Sequence, residues 1–155
     1  MTTTLKQRLQ EDLTVALKAR DEVRLAALRL TLSAVSKEET AGTQARELSD
    51  DEVLKVITRE AKKRREAAEA FEQGGRSESA ARERAEGEIL AEYLPKQLTD
   101  EELGALVDEA VAEAAASGTE GPKAMGAVMK IANAKIAGRA EGGRVAAAVK
   151  RRLST

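Results

Sequence analysis

The side chains best equipped to act on a ligand lie near the end of the chain. From residue 123 onward, Lys123, Lys130, Lys135, Arg139, Arg144, Lys150, Arg151 and Arg152 stand against a single carboxylate, Glu141. Ammonium and guanidinium groups at that density neutralise phosphates, so the segment carries the electrostatic footprint of a nucleic-acid contact, with a merely solvated basic face as the alternative. The candidate contacts are Lys123, Lys130, Lys135, Arg139, Arg144 and Lys150. Lys123 and Lys130, seven residues apart, share roughly one helix face. Lys135 is turned away from Lys130 at about 100° per residue, so two helices are needed to assemble the patch.

Glycines are threaded through the same region. KIAGRAEGGRV, residues 135–145, contains Gly138, Gly142 and Gly143. A phosphate loop would read GxxxxGK[ST] or GxGxxG and emerge from a strand, and neither spacing is present. Gly138 suits a left-handed cap on a helix ending at Ile136, and Gly142 and Gly143 suit a close start to a last helix. The free amides at that start, with Arg139 and Arg144 beside them, form a candidate anion-receiving corner.

The chain has no cysteine and no histidine. Thiolate nucleophiles, His-based triads, disulfides and the usual zinc sites are thereby excluded. Asp50 with Asp51, and Asp100 with Glu101, are paired carboxylates, but each pair falls in a first helical turn, where the helix dipole favours negative charge. No catalytic residue, no metal site and no cofactor are expected. Phe71 and Tyr93 are the only aromatic residues, which rules out a row of rings for stacking successive bases. The run Lys62, Lys63, Arg64, Arg65 is explained in part by i,i+4 pairing of Glu60 with Arg64 and Arg65 with Glu69. The alternative is a second phosphate-contacting surface.

Helices must position these groups. The sequence of 155 residues is 34% charged and 42% hydrophobic, rich in Ala, Leu, Glu, Lys and Arg, and without the alternation of strands. Leu5, Leu9, Leu13 and Leu17 mark a first stripe; Asp21 either caps a second helix or lies within one continuous helix. Leu25, Leu28, Leu32 and Val35 follow. SDDE at 49–52 and TDEE at 99–102 are capping boxes that each open a helix. The first of these carries Val53, Ile57, Ala61, Ala68 and Phe71 and stops at Gly74–Gly75. Ser77 is the expected cap of the next, which Pro95 ends. After TDEE come Leu103, Leu106, Val107, Ala110 and Val111, then a stop at Gly118. Pro122 suits a first helical turn before Met125, Val128, Met129, Ala132 and Ile136; Val145, Val149 and Leu153 mark the last helix. The expectation is an all-α chain: an N-terminal helical bundle, 1–94, and a small C-terminal three-helix tail domain, 95–155. Residues 88–122 hold nine acidic side chains and one basic, Lys96, so the acidic stretch is either an intramolecular partner of the basic tail or its partner in another copy. No run is long and apolar enough for a membrane span, and MTTTLKQRLQEDL lacks the apolar core of a secretory signal, which points to the cytoplasm.

In their order, LKARDEVRLAALRLTLSAVSKEE, LSDDEVLKVITREAKKRREAAEAFEQGGR, EGEILAEYLPKQLTDEEL, PKAMGAVMK and GRAEGGRVAAAVKRRL resemble the YqeY family of GatB/YqeY proteins over nearly the whole chain. The resemblance implies two helical parts, and a tail similar to the C-terminal domain of the B subunit of the tRNA-dependent amidotransferase. Similar modules are appended to some glutaminyl-tRNA synthetases, where they are implicated in tRNA binding. The family label, carbon–nitrogen ligase with glutamine as amido-N-donor, passes to this chain only through the tail, because no counterpart of the Ser–Ser–Lys amidase site is present. The motif residues are Met125, Gly126, Met129, Gly138 and Gly142, with Gly126 read as a point of close helix approach. Ala140, Glu141 and Gly142 stand where the family usually has Ala-Asp-Gly, which keeps the carboxylate. The expected partner is tRNA, with an amidotransferase or an aminoacyl-tRNA synthetase as protein partner; a docking subunit and a self-associating helical scaffold are the rival readings.

Overall fold

The computed structural model describes residues 2–154. Among them are seven α-helices, a single 3-10 turn and no strand, an all-α fold. The chain divides into two compact units, one ending at Leu94 and the other starting at Pro95. No helix among the described residues is long and apolar enough to cross a membrane.

The first unit contains α1 (Leu5–Ala19), α2 (Glu22–Glu39), α3 (Asp50–Gln73) and α4 (Ser77–Ala91). Arg20 in the left-handed region closes α1, and the Asp21 carboxylate then accepts from the Arg24 amide. Two helices therefore stand where one continuous helix was the alternative. Leu9, Ala16, Leu28, Val35, Val53, Ile57 and Leu90 fill the core. Leu17 does not join it: its side chain is 55% exposed. A four-residue step overshoots a full turn by about 40°, so after three steps Leu17 has rotated off the stripe begun at Leu5, and Ala16 takes the inward place.

The SDDE capping box forms as expected, Ser49 and Glu52 each satisfying the other's backbone amide. Arg46 clamps the same glutamate from outside at 2.6 Å, and this pairing, ahead of the Ser49 amide, holds the Glu52 carboxyl down to about 2. Ser77 is the first residue of α4 rather than its cap; Arg76 occupies the cap position without a side-chain bond. Arg64 does not pair with Glu60 along α3. It reaches α4, within 3.4 Å of Glu83 and 3.7 Å of Glu86, while Glu60 takes Lys63 at 3.0 Å. Gly87 faces the Arg64 stem, with an added Cβ 3.5 Å from the Arg64 Cβ, so the long arginine lies in the α3–α4 seam instead of along its own helix.

In the second unit α5 (Asp100–Ala116) opens on the TDEE box, with Thr99 and Glu102 reciprocally bonded. A 3-10 turn, Pro122–Ala124, leads into α6 (Met125–Ile136), and α7 (Gly142–Leu153) completes the bundle. Val107, Ala110, Val128, Ala132, Ile136, Val145 and Val149 form its core. These are mostly small side chains, which lets three short helices approach closely.

Candidate nucleic-acid interface

The six candidate cations of the tail separate into two groups. Lys135, Arg139 and Arg144 are tied into the fold. Lys135 reaches from α6 to Glu113 on α5 at 2.9 Å, with Glu109 at 3.8 Å, and the bond to Glu113 raises its pKa above the ordinary lysine value. Arg139 folds back on the end of α6, its Nε donating to the Ile136 carbonyl at 2.9 Å and a terminal nitrogen to the Lys135 carbonyl at 2.8 Å. Those carbonyls are helix-end acceptors without an intrahelical partner, so Arg139 acts as a C-terminal cap. Arg144 donates to the Leu98 carbonyl at 3.1 Å and to Asp100 at 2.9 Å.

The corner between α6 and α7 is therefore a clasp for the segment that enters the bundle. The Leu98 amide donates to the Arg139 carbonyl at 2.7 Å, and Leu98 itself is buried. The expected left-handed cap at Gly138 begins one residue earlier: Ala137 is the cap, with φ 49°, and Gly138 follows with φ 80°. Two consecutive left-handed residues reverse the chain sharply, and glycine meets the second at no steric cost. Gly142 and Gly143 meet no close neighbour; an added Cβ at either would find nothing within 4 Å. The last helix does start at Gly142 as expected, but no close contact there calls for glycine. The same holds for Gly126, whose open surroundings contradict a close helix approach beside Met125. Close approach belongs instead to Gly104, on α5, where an added Cβ would lie 2.6 Å from a terminal nitrogen of Arg152. Arg152 crosses that bare spot to meet Asp108 at 2.7 Å. The sequence signal for it was a glycine inside an otherwise strong helix former.

The other group is free. Lys123, Lys130 and Lys150 are exposed, as is Arg151, and none has a side-chain acceptor among the described residues. Lys123 lies in the 3-10 turn rather than on α6, so its seven-residue spacing from Lys130 is not a helical register; Gly121 and Pro122 start the tighter turn. Met125 and Met129 are half-buried and pack against the core. Two concave features adjoin two of these cations, Lys130 and Lys150. Pro122, Met125, Leu153 and Ser154 form a notch with Lys150 on its rim. Ala114, Ala127, Ile131 and Ala134 floor a trough between α5 and α6, with Lys130, Lys135 and Glu113 along it.

A bundle that begins at Pro95 holds a clasp built from GRAEGGRV and a turn built from PKAM, and the span that contains them matches one family. Residues 6–153 match the family described as Yqey-like protein. The chain belongs to the YqeY family. No curated protein matches it. Within this YqeY-family member no group of three or more acidic, histidine or cysteine side chains among the described residues is arranged to hold a metal ion. A polar site outside the tail that sequence reading missed is at Tyr93, whose hydroxyl donates to Asp12 while Arg8 stacks on its ring at 4.9 Å.

Proposed function

We propose that this YqeY-family protein is a tRNA-associated accessory module whose tail meets the phosphate backbone of a folded RNA, without amide-transfer chemistry of its own. The carrying observation is the set of four exposed cations, Lys123, Lys130, Lys150 and Arg151, with no internal acceptor among the described residues. A cation already held by a carboxylate gains little from a phosphate, because it must give up one charge-assisted bond to make the next. The free lysines carry no such cost. Arg139 and Arg144 support the site by shaping it, so the contact residues are assigned to the lysines and Arg151 rather than to the corner arginines.

Measured against tRNA, affinity should fall steeply with salt, and replacing Lys123, Lys130 and Lys150 together by Glu should abolish detectable binding while circular dichroism stays that of the wild type. Each phosphate contact removed lowers the log–log salt slope by about 0.7 to 0.9. Undetectable tRNA affinity of the wild type at low salt would sink the proposal.

A second reading, a docking subunit of an amidotransferase or an aminoacyl-tRNA synthetase, is favoured by the apolar trough between α5 and α6. Co-purification of such an enzyme, lost when Ile131 is replaced by Asp and kept when the three lysines are replaced, would select it. Self-association through acidic and basic segments has less support, since Glu113, Asp100 and Asp108 of the acidic stretch already meet Lys135, Arg144 and Arg152 within the same tail.

A further inference from the structure

The notch beside Lys150 is unlike the rest of the cationic surface. Its lining is almost wholly apolar, supplied by Pro122 and Met125 from the 3-10 turn and the start of α6 and by Leu153 from the end of α7, with Ser154 at its edge. At about 320 Å³ it falls within the range of about 300–1,000 Å³ typical of small organic ligands. The Ser154 hydroxyl is turned to the Arg151 carbonyl, so it leaves the mouth to the apolar groups. Lys150 lines this recess, and Lys123 and Arg151 each adjoin one of its lining residues in the sequence; all three are exposed and without a carboxylate partner among the described residues.

An apolar recess with one unpaired cation in its lining and two more beside its lining residues in the sequence suits a ligand that is itself apolar at its centre and anionic around it. A purely anionic ligand would leave the recess unused, and a neutral apolar one would leave the cations unused. An unpaired nucleotide of an RNA strand has the required form, a flat base between two phosphates. Proteins that recognise RNA commonly take such splayed bases, because the bases of a continuous helix are hidden by stacking and by a deep, narrow major groove.

Resting on the phosphate-contact reading above, we infer that the notch of Pro122, Met125 and Leu153 receives one unstacked base, with Lys123 and Lys150 on the flanking phosphates. The Ser154 hydroxyl is engaged with the Arg151 carbonyl and Lys150 is assigned to a phosphate, so no side chain of the notch is left to read the base edge, and recognition is of an unpaired nucleotide as such, tolerating any of the four bases. The tail has no aromatic ring to offer, and aliphatic contact with the base face takes the place of stacking.

The test compares a blunt RNA duplex with the same duplex carrying one bulged uridine, by fluorescence anisotropy at low salt on the full chain. The bulged duplex should bind up to about tenfold tighter, the low end of what one base gains on an aromatic platform, because the contact here is aliphatic. Leu153→Ser, which makes the notch polar, and Ser154→Ile, which fills its mouth from an exposed position, should each erase that preference and leave the affinity for the paired duplex unchanged. Lys150→Ala should weaken both duplexes alike. Equal affinity of the wild type for the two duplexes overturns the notch assignment and leaves the phosphate reading standing; so does a preference that survives in Ser154→Ile with its fold intact. Absence of binding to either duplex overturns both.

Discussion

The guanidinium of Arg144 donates to the Leu98 carbonyl at 3.1 Å and shares the same nitrogen with Asp100 at 2.9 Å. The two acceptors are not equivalent. Asp100 is 97% exposed and its pairing is screened by water, whereas Leu98 is buried against the bundle core. Arg144→Ala should therefore destabilise the tail by about 1–3 kcal/mol, the range for a charge-assisted bond to a buried backbone acceptor. Asp100→Ala should cost less than about 1 kcal/mol, and a double-mutant cycle should place the coupling between the two side chains within that limit. Urea unfolding of the four variants gives all three numbers; a coupling as large as the whole Arg144 effect would mean that the carboxylate, and not the carbonyl, is what the arginine serves.

Gly104→Ala places a methyl group where Arg152 now lies. The obstruction is the far end of a flexible side chain, which can swing away, and alanine in a helix interior is favoured over glycine by about 1 kcal/mol. The net stability change should stay within about 1 kcal/mol of zero. What should change is the link between Arg152 and Asp108: Asp108→Ala should have a smaller effect in the Gly104→Ala background than in the wild type.

At Gly126 there is space and a helical backbone, and no neighbour within 4 Å of an added Cβ. Gly126→Ala should raise the thermal midpoint, with a gain of about 0.5–1 kcal/mol, because the substitution reduces the freedom of the unfolded chain without strain. A loss of stability would restore the close-packing role that the bare surroundings argue against.

Glu52 gives the acid limb of the stability curve. Its carboxyl is held near 2 by the Arg46 guanidinium and the Ser49 amide, against 4.5 for a free glutamate. Folded glutamate thus stays ionised where the unfolded chain takes up a proton, so its contribution is complete above pH 4.5 and is lost as pH falls from there toward 2. Glu102, lowered by the Thr99 amide, acts in the same direction. Glu52→Gln should make the first unit less sensitive to pH between 4.5 and 2, read as a flatter dependence of the urea midpoint.

Tyr93 sets the alkaline limb. Burial, and then its bond to Asp12, push the phenol above its ordinary value of 10. The folded chain keeps a proton that the unfolded chain has released, so this contribution is full below pH 10 and declines as pH rises beyond it. Phenolate absorbance should appear in the folded protein only well above pH 10, and Tyr93→Phe should leave a shallower loss of stability on the alkaline side.

Most of the helices were legible in the sequence by itself, because their signals are local. A capping box needs residues four positions long, SDDE or TDEE; a stop needs a Gly or a Pro; a stripe needs only the period of the helix. The all-α class follows from those, and so does the concentration of positive charge after residue 122. Spacing failed where register drifted, as at Leu17, and where a 3-10 turn replaced an α-helical one, as at Lys123. What only the tertiary structure decided is which of those cations are free. Read along the chain, Arg139 and Arg144 stand beside glycines at a turn, as candidate anion ligands. Folding brings the Leu98 carbonyl, the Asp100 carboxylate and the end of α6 within reach of them, and Glu109 and Glu113 within reach of Lys135. Charge is a property of the residue and can be counted in a sequence; whether that charge is already satisfied depends on partners dozens of positions away, which only the packing of α5, α6 and α7 supplies.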